Sequence, residues 1–206
     1  MIEGQDPGDG RGRSESLLAA LVVCLGATVG VTLIAAWSVP AFVVAAALVP
    51  LVSVLRQATS ASRIVGHLEP RRTAIVTLSV FVITWVPAVL TWHLWRGDAA
   101  RWRFDLLPAF AGLAGLLAEE LFFRGWMMAR AGQGSSKKVR ILAADLGWEV
   151  PISACFFAVA HVPRFGVADS WFYVFPGLSL AYARIRSGNL LAPIILHLLY
   201  NALRPA

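Results

Sequence analysis

The chain has 206 residues, 58% of them hydrophobic and only 15% charged, with a mean hydropathy of +0.68. Soluble domains carry about 25% charged residues, so this composition describes a polytopic membrane protein rather than an ordinary soluble domain. The net charge of +6 does not indicate nucleic-acid binding, because the basic residues lie in short loops between apolar runs, where membrane orientation signals are found.

Residues 1–16, "MIEGQDPGDGRGRSES", are polar, Gly-rich and mixed in charge, and read as a disordered tail. The apolar run that follows is too long for a signal peptide, and no small-residue cleavage site closes it. A membrane span needs about 20 apolar residues, fewer inside a bundle. On that basis the sequence predicts seven spans: Ser16–Trp37, Ala41–Leu55, Ala74–Trp95, Leu106–Arg130, Trp148–Val162, Trp171–Ile185 and Leu190–Leu203. The second, fifth, sixth and seventh are short enough to be buried, tilted or broken. The expected fold is an all-α, polytopic membrane helix bundle in one unit. Its N-terminal transmembrane helices occupy residues 17–105, and a second set occupies 106–206. Cys24 and Cys155 both fall in apolar runs without CxxC spacing and read as small buried hydrophobes.

Loop charges set the orientation. With a cytoplasmic N-terminus, inside segments hold twelve Lys and Arg residues and outside segments five, with Arg124 in the membrane completing the eighteen. Trp37, Trp92, Trp95, Trp148 and Trp171 fall near proposed span ends, where aromatic belts form. Trp126 and Trp148 read as interface anchors, and Lys137–Lys138 as a headgroup-level patch.

Few strongly polar groups remain deep in the spans. They are Glu119, Glu120 and Arg124 on the fourth, His161 on the fifth, and His197 with Asn201 on the seventh. Each charge there costs about 2.5–3.5 kcal/mol on insertion scales. Glu120 and Arg124 stand at i,i+4 with the acid first, the better orientation for an ion pair. Glu119 points about 100° away, so it is free to face another helix, where a desolvated carboxylate can act as a general base. Phe157 and His161 share a face of the fifth helix, and His197 and Asn201 share one of the seventh. Three such helices would gather a carboxylate, two imidazoles and a carboxamide, an inventory suited to hydrolysis. Read singly, Glu120–Arg124 is equally a buried structural pair, His161 ahead of Val162–Pro163 could end its helix, and His197 with Asn201 could be interhelical glue. Placing His161 deep in the membrane requires the fifth helix to start within "VRILAADLGWEV" or to kink near Pro151.

In order along the chain, EExxxR (Glu119, Glu120, Arg124), FxxxH (Phe157, His161) and HxxxN (His197, Asn201) resemble the CPBP (Abi) family of glutamic intramembrane proteases. Its best-known members are the CAAX prenyl endopeptidases of the Rce1 type. The lead-in "RSGNLLAPIILH" (Arg186–His197) is similar to that family's approach to its last motif, and the resemblance spans Leu106 to Leu203. It implies a catalytic core in residues 106–206, with Glu119 activating water, His161 assisting, and His197 and Asn201 holding the oxyanion. Glu120 and Arg124 would then orient the site, and Phe157 would pack beneath His161. It also implies a membrane-anchored or lipidated protein as substrate, the bilayer as partner, and no cofactor. Glu plus two His is also a plausible zinc set, so the residues alone leave a metal open. Two other classes compete: an ion- or proton-coupled transporter, because intramembrane Glu, Arg and His mark such pathways, and a non-catalytic scaffold or immunity protein of the same fold. The absence of an internal repeat argues against the first, and the intact Glu/His/His/Asn set against the second.

Overall fold

A computed structural model describes residues 9–37, 39–55, 61–96, 102–104, 112–132 and 137–205. The long apolar runs satisfy their backbone groups internally as helices. Helices α1 (Asp9–Trp37), α2 (Val39–Leu55), α3 (Ala61–Val65) and α4 (Pro70–Arg96) form the N-terminal half. Strand β1 (Trp102–Phe104) precedes α5 (Leu113–Glu120), which continues through a π-helical stretch, Leu121–Met127, into α6 (Met128–Gly132). A hairpin of β2 (Val139–Ile141) and β3 (Ala144–Leu146) leads to α7 (Glu149–Ser170) and a 3-10 turn, Trp171–Tyr173. The chain then forms α8 (Val174–Ser187), α9 (Leu191–Ala202) and β4 (Leu203–Pro205). β4 pairs antiparallel with β1, so the approach to α5 is tied to the end of α9.

Helices stand on all seven expected spans, with different boundaries. α1 starts at Asp9, inside the stretch read as a polar tail. Residues 1–8, and residues 105–111 at the start of the fourth span, lie outside the described residues. Among the described residues, one helical stretch, Glu149–Ser187, is long and apolar enough to cross a membrane. Leu18–Leu33, Val43–Ser53 and Leu191–Ala202 are shorter apolar helices. The Glu149–Ser187 stretch is interrupted at Gly166, and its two halves, α7 and α8, pack back on each other through Ala154 against Gly177 and His161 against Tyr173. Large apolar side chains still face outward on α1 and α4, with Leu18, Leu33, Leu78 and Ile83 each more than 60% exposed.

Three local expectations are corrected. "VRI" and "ADL" form the β2–β3 hairpin, so α7 neither starts early nor breaks at Pro151. Its break is at Gly166 (φ 78°, ψ 168°), a conformation open to glycine. Helix therefore continues past Val162–Pro163, and His161 lies well inside α7. Trp126 is a core residue rather than an interface anchor, because the π stretch turns it inward to stack on Phe122 at 5.3 Å. Cys24 is buried as expected, whereas Cys155 is exposed.

The core closes around Phe122, Phe123, Met127, Phe157, Leu180 and Leu196, and it includes the side chains of Glu120 and Arg124. Short α3 docks on the turn between α8 and α9. Leu190 N donates to Val65 O (2.9 Å) and His67 N to Gly188 O (3.2 Å), with Gly66 at φ 82° between them. A Cβ on Gly66 would collide with the backbone oxygen of Gly188. Gly66→Ala should therefore destabilise the protein by about 1–3 kcal/mol, read as a lower thermal unfolding midpoint in detergent. An unchanged midpoint would mean that α3 does not dock there.

Candidate active site

The acids lie where α5 becomes π-helical. Arg124 Nη1 donates to Glu120 Oε1 at 3.2 Å, and both side chains are fully buried. The guanidinium also donates through Nη2 to Gly177 O (3.3 Å) and lies over the Phe157 ring at 4.1 Å. Two adjacent carbonyls of the π stretch receive donors from other helices. Ser153 Oγ on α7 donates to Phe123 O (3.1 Å), and Arg184 Nε on α8 donates to Arg124 O (3.3 Å). Those bonds satisfy carbonyl groups where the helix winds more widely than an α-helix. At Gly177 α8 lies close against α7: a Cβ there would meet Ala154 Cα at 3.0 Å. The missing side chain brings its carbonyl within reach of Arg124.

Both ends of α9 are anchored. Gly188, left-handed at φ 78°, closes α8. Asn189 Oδ1 accepts from Leu191 N (3.0 Å) and Ala192 N (3.3 Å), capping α9, while its Nδ2 donates to Thr73 Oγ1 on α4 (2.9 Å). At the far end the Tyr200 hydroxyl bonds with Thr84 on α4 and Ser179 on α8. Between these anchors, His197 meets both acids. Its Nδ1 is 2.8 Å from Glu120 Oε1 and its Nε2 is 3.9 Å from Glu119 Oε2. The first distance is a hydrogen bond donated by Nδ1–H to the carboxylate; the second is beyond direct bonding. Glu120 Oε1 thus accepts from both His197 and Arg124. The Glu119 side chain is 22% exposed against 0% for Glu120, so Glu119 is the accessible acid.

His161 Nδ1 lies 2.7 Å from Phe157 O. A carbonyl can only accept, so Nδ1 carries the hydrogen and a neutral ring leaves Nε2 as its acceptor. The Phe157 ring lies 4.5 Å from the His161 ring and 5.8 Å, edge to face, from His197. Glu119, Glu120, Arg124, Phe157, His161 and His197 thus converge through contacts on one another. Asn201 follows His197 by one turn on the same helix and is exposed. Among the described residues, no three His, Cys, Asp or Glu side chains form a group able to hold a metal ion. Tyr173, stacked on His161 at 4.0 Å, was not among the residues expected here, and neither were Ser153, Gly177 and Arg184. A phenol in the aromatic run "WFYVF" reads as a span edge, and helical spacing carries no sign that it turns inward.

A family profile for the Rce1-like type II CAAX prenyl endopeptidases matches residues 101–203, half of the chain. The chain belongs to this family. The matched region runs from the edge of β1 to the start of β4 and contains every residue of the constellation just described. The Rce1-like family is a family of proteases, so the constellation lies in a hydrolase domain. No curated protein and no solved structure matches the chain.

Proposed function

We propose that this Rce1-like protein is an intramembrane endopeptidase that cuts near the C-terminus of a membrane-anchored or lipidated protein, using water activated by Glu119. One observation carries the reading. The accessible carboxylate of Glu119 stands beside an imidazole whose other nitrogen is held by a second carboxylate, itself held by a buried arginine. Such a relay fixes the geometry around Glu119 before substrate arrives.

In this mechanism Glu119 takes a proton from water as its oxygen attacks the scissile carbonyl carbon. His161, with Nδ1 committed to Phe157 O, shares that proton at Nε2 and returns it to the departing amine. His197, when protonated, offers its Nε2–H to the oxyanion, and Asn201 one turn away adds a carboxamide donor. Glu120 and Arg124 orient His197 without touching substrate. The outward apolar faces of α1 and α4, the Glu149–Ser187 stretch and the loop charges together favour a bilayer-embedded protein with a cytoplasmic N-terminus.

The test is a proteoliposome assay with lipidated and unlipidated peptides. Cleavage is expected to release one defined C-terminal fragment from the lipidated peptide and to persist in strong chelators. Inactivation by chelation that added zinc reverses would overturn the metal-independent mechanism. Solute or proton flux in place of cleavage would overturn the protease reading.

A further inference from the structure

A column of rings connects the site to its rim. Arg164 lies over Phe165 (5.1 Å), Phe165 stacks on Tyr173 (5.0 Å, 24°), and Tyr173 stacks on His161 (4.0 Å, 21°). Phe157 lies against His161, and Arg124 lies over Phe157. The column depends on the chain doubling back. Gly166 breaks α7 at φ 78°, and Ser170 Oγ donates to Gly166 O (2.6 Å) before the 3-10 turn begins. In that turn Trp171 and Phe172 are 66% and 61% exposed, and Tyr173 alone of the three turns inward.

We propose that Tyr173 is a positioning residue whose ring, returned by the Gly166 break, clamps the His161 imidazole in the plane that keeps Nδ1 on the Phe157 carbonyl and leaves Nε2 for the reacting groups. The χ2 torsion of histidine is broad and roughly two-fold. A single hydrogen bond to the carbonyl four residues back still leaves the ring some freedom to flip by 180°. The flip would put Cδ2 in place of Nδ1 at the carbonyl and Cε1 in place of Nε2 at the reacting side. A parallel ring at 4.0 Å removes that freedom, because rotation about χ2 would drive the imidazole edge into the phenol face. The clamp needs the aromatic ring and not the hydroxyl. The catalytic consequence rests on the endopeptidase reading above; the conformational one does not.

Two measurements on the full-length protein in proteoliposomes test the clamp. In cleavage of the lipidated peptide, Tyr173→Phe should stay within about twofold of wild type, whereas Tyr173→Leu should lose on the order of tenfold to a hundredfold in kcat at unchanged KM. In 15N spectra of the histidine rings, with the His161 signals assigned by their loss in His161→Gln, wild type and Tyr173→Phe should show the single Nδ1–H tautomer. Tyr173→Leu should show both tautomers. Should the leucine variant not fold, Tyr173→Met replaces it as the non-aromatic substitution. One tautomer and wild-type kcat in the non-aromatic variant would overturn the clamp. Equal losses in Tyr173→Phe and Tyr173→Leu, or a rise in KM alone, would also overturn it. A wild-type protein that cleaves nothing would refute the endopeptidase reading, and the tautomer spectra would still decide the clamp.

Discussion

Replacing Glu119 with glutamine is expected to abolish cleavage and leave the fold intact. The amide keeps the shape of the side chain but cannot take a proton from water, and general-base catalysis contributes about 10²–10⁴ in rate. That corresponds to roughly 3–5 kcal/mol of barrier. Stability should hardly change. The carboxylate is partly exposed and stands 3.9 Å from His197 Nε2, so no direct hydrogen bond between them is lost. Turnover of the lipidated peptide and the thermal midpoint, measured on one preparation, separate the two effects. A variant cleaving at the wild-type rate would remove Glu119 from the mechanism, and one that fails to fold would make it structural.

Arg124→Met should have the larger effect on stability. The arginine is fully buried and satisfies Glu120 Oε1 and the Gly177 carbonyl together while lying on Phe157. Removing it leaves Glu120 with His197 as its one described partner. Breaking a buried ion pair from one side destabilises by about 3–5 kcal/mol. The thermal midpoint in detergent should therefore fall by on the order of 10 °C. Replacing both partners, Glu120→Gln with Arg124→Met, should recover most of that loss because no uncompensated charge remains buried. Activity should stay low in the double variant, because the glutamine is a weaker acceptor for His197 Nδ1–H than a carboxylate. A single substitution shifting stability by less than about 1 kcal/mol, or a double variant no more stable than the single, would refute a pair that holds α5 to α8.

The sequence makes the participants of this site legible wherever one helix decides the matter. The i,i+4 spacing of Glu120 and Arg124 anticipates their ion pair, and the same spacing places Phe157 against His161. The lead-in to the last motif carries its own punctuation, Gly188 to end α8 and Asn189 to cap α9. What the sequence hides depends on partners far along the chain. Helical periodicity assumes one winding throughout, whereas the carbonyls of the π stretch are satisfied by Ser153 and Arg184. Both carboxylates lie beside one imidazole, Glu120 bonded to Nδ1 and Glu119 3.9 Å from Nε2, although spacing alone separates them by about 100°. In α7, Pro151 and Pro163 are the conspicuous helix breakers, yet Gly166 supplies the break because it alone adopts a positive φ in that helix. Trp126 misleads for a related reason: an aromatic at a predicted span end reads as an anchor until the wider turn buries it.

The wide turn between Glu120 and Met128 also sets a phase. A π stretch rotates the chain around its axis by a smaller angle per residue than an α-helix does, so α6 leaves it at a different azimuth from the one α5 alone would project. Insertions and deletions along this rod are therefore not equivalent. One after Arg124, within Gly125–Met127, would leave the Glu120–Arg124 spacing intact and change the orientation of α6. One between Glu119 and Glu120 would swing the two carboxylates against each other, so that a single ring could no longer meet them both.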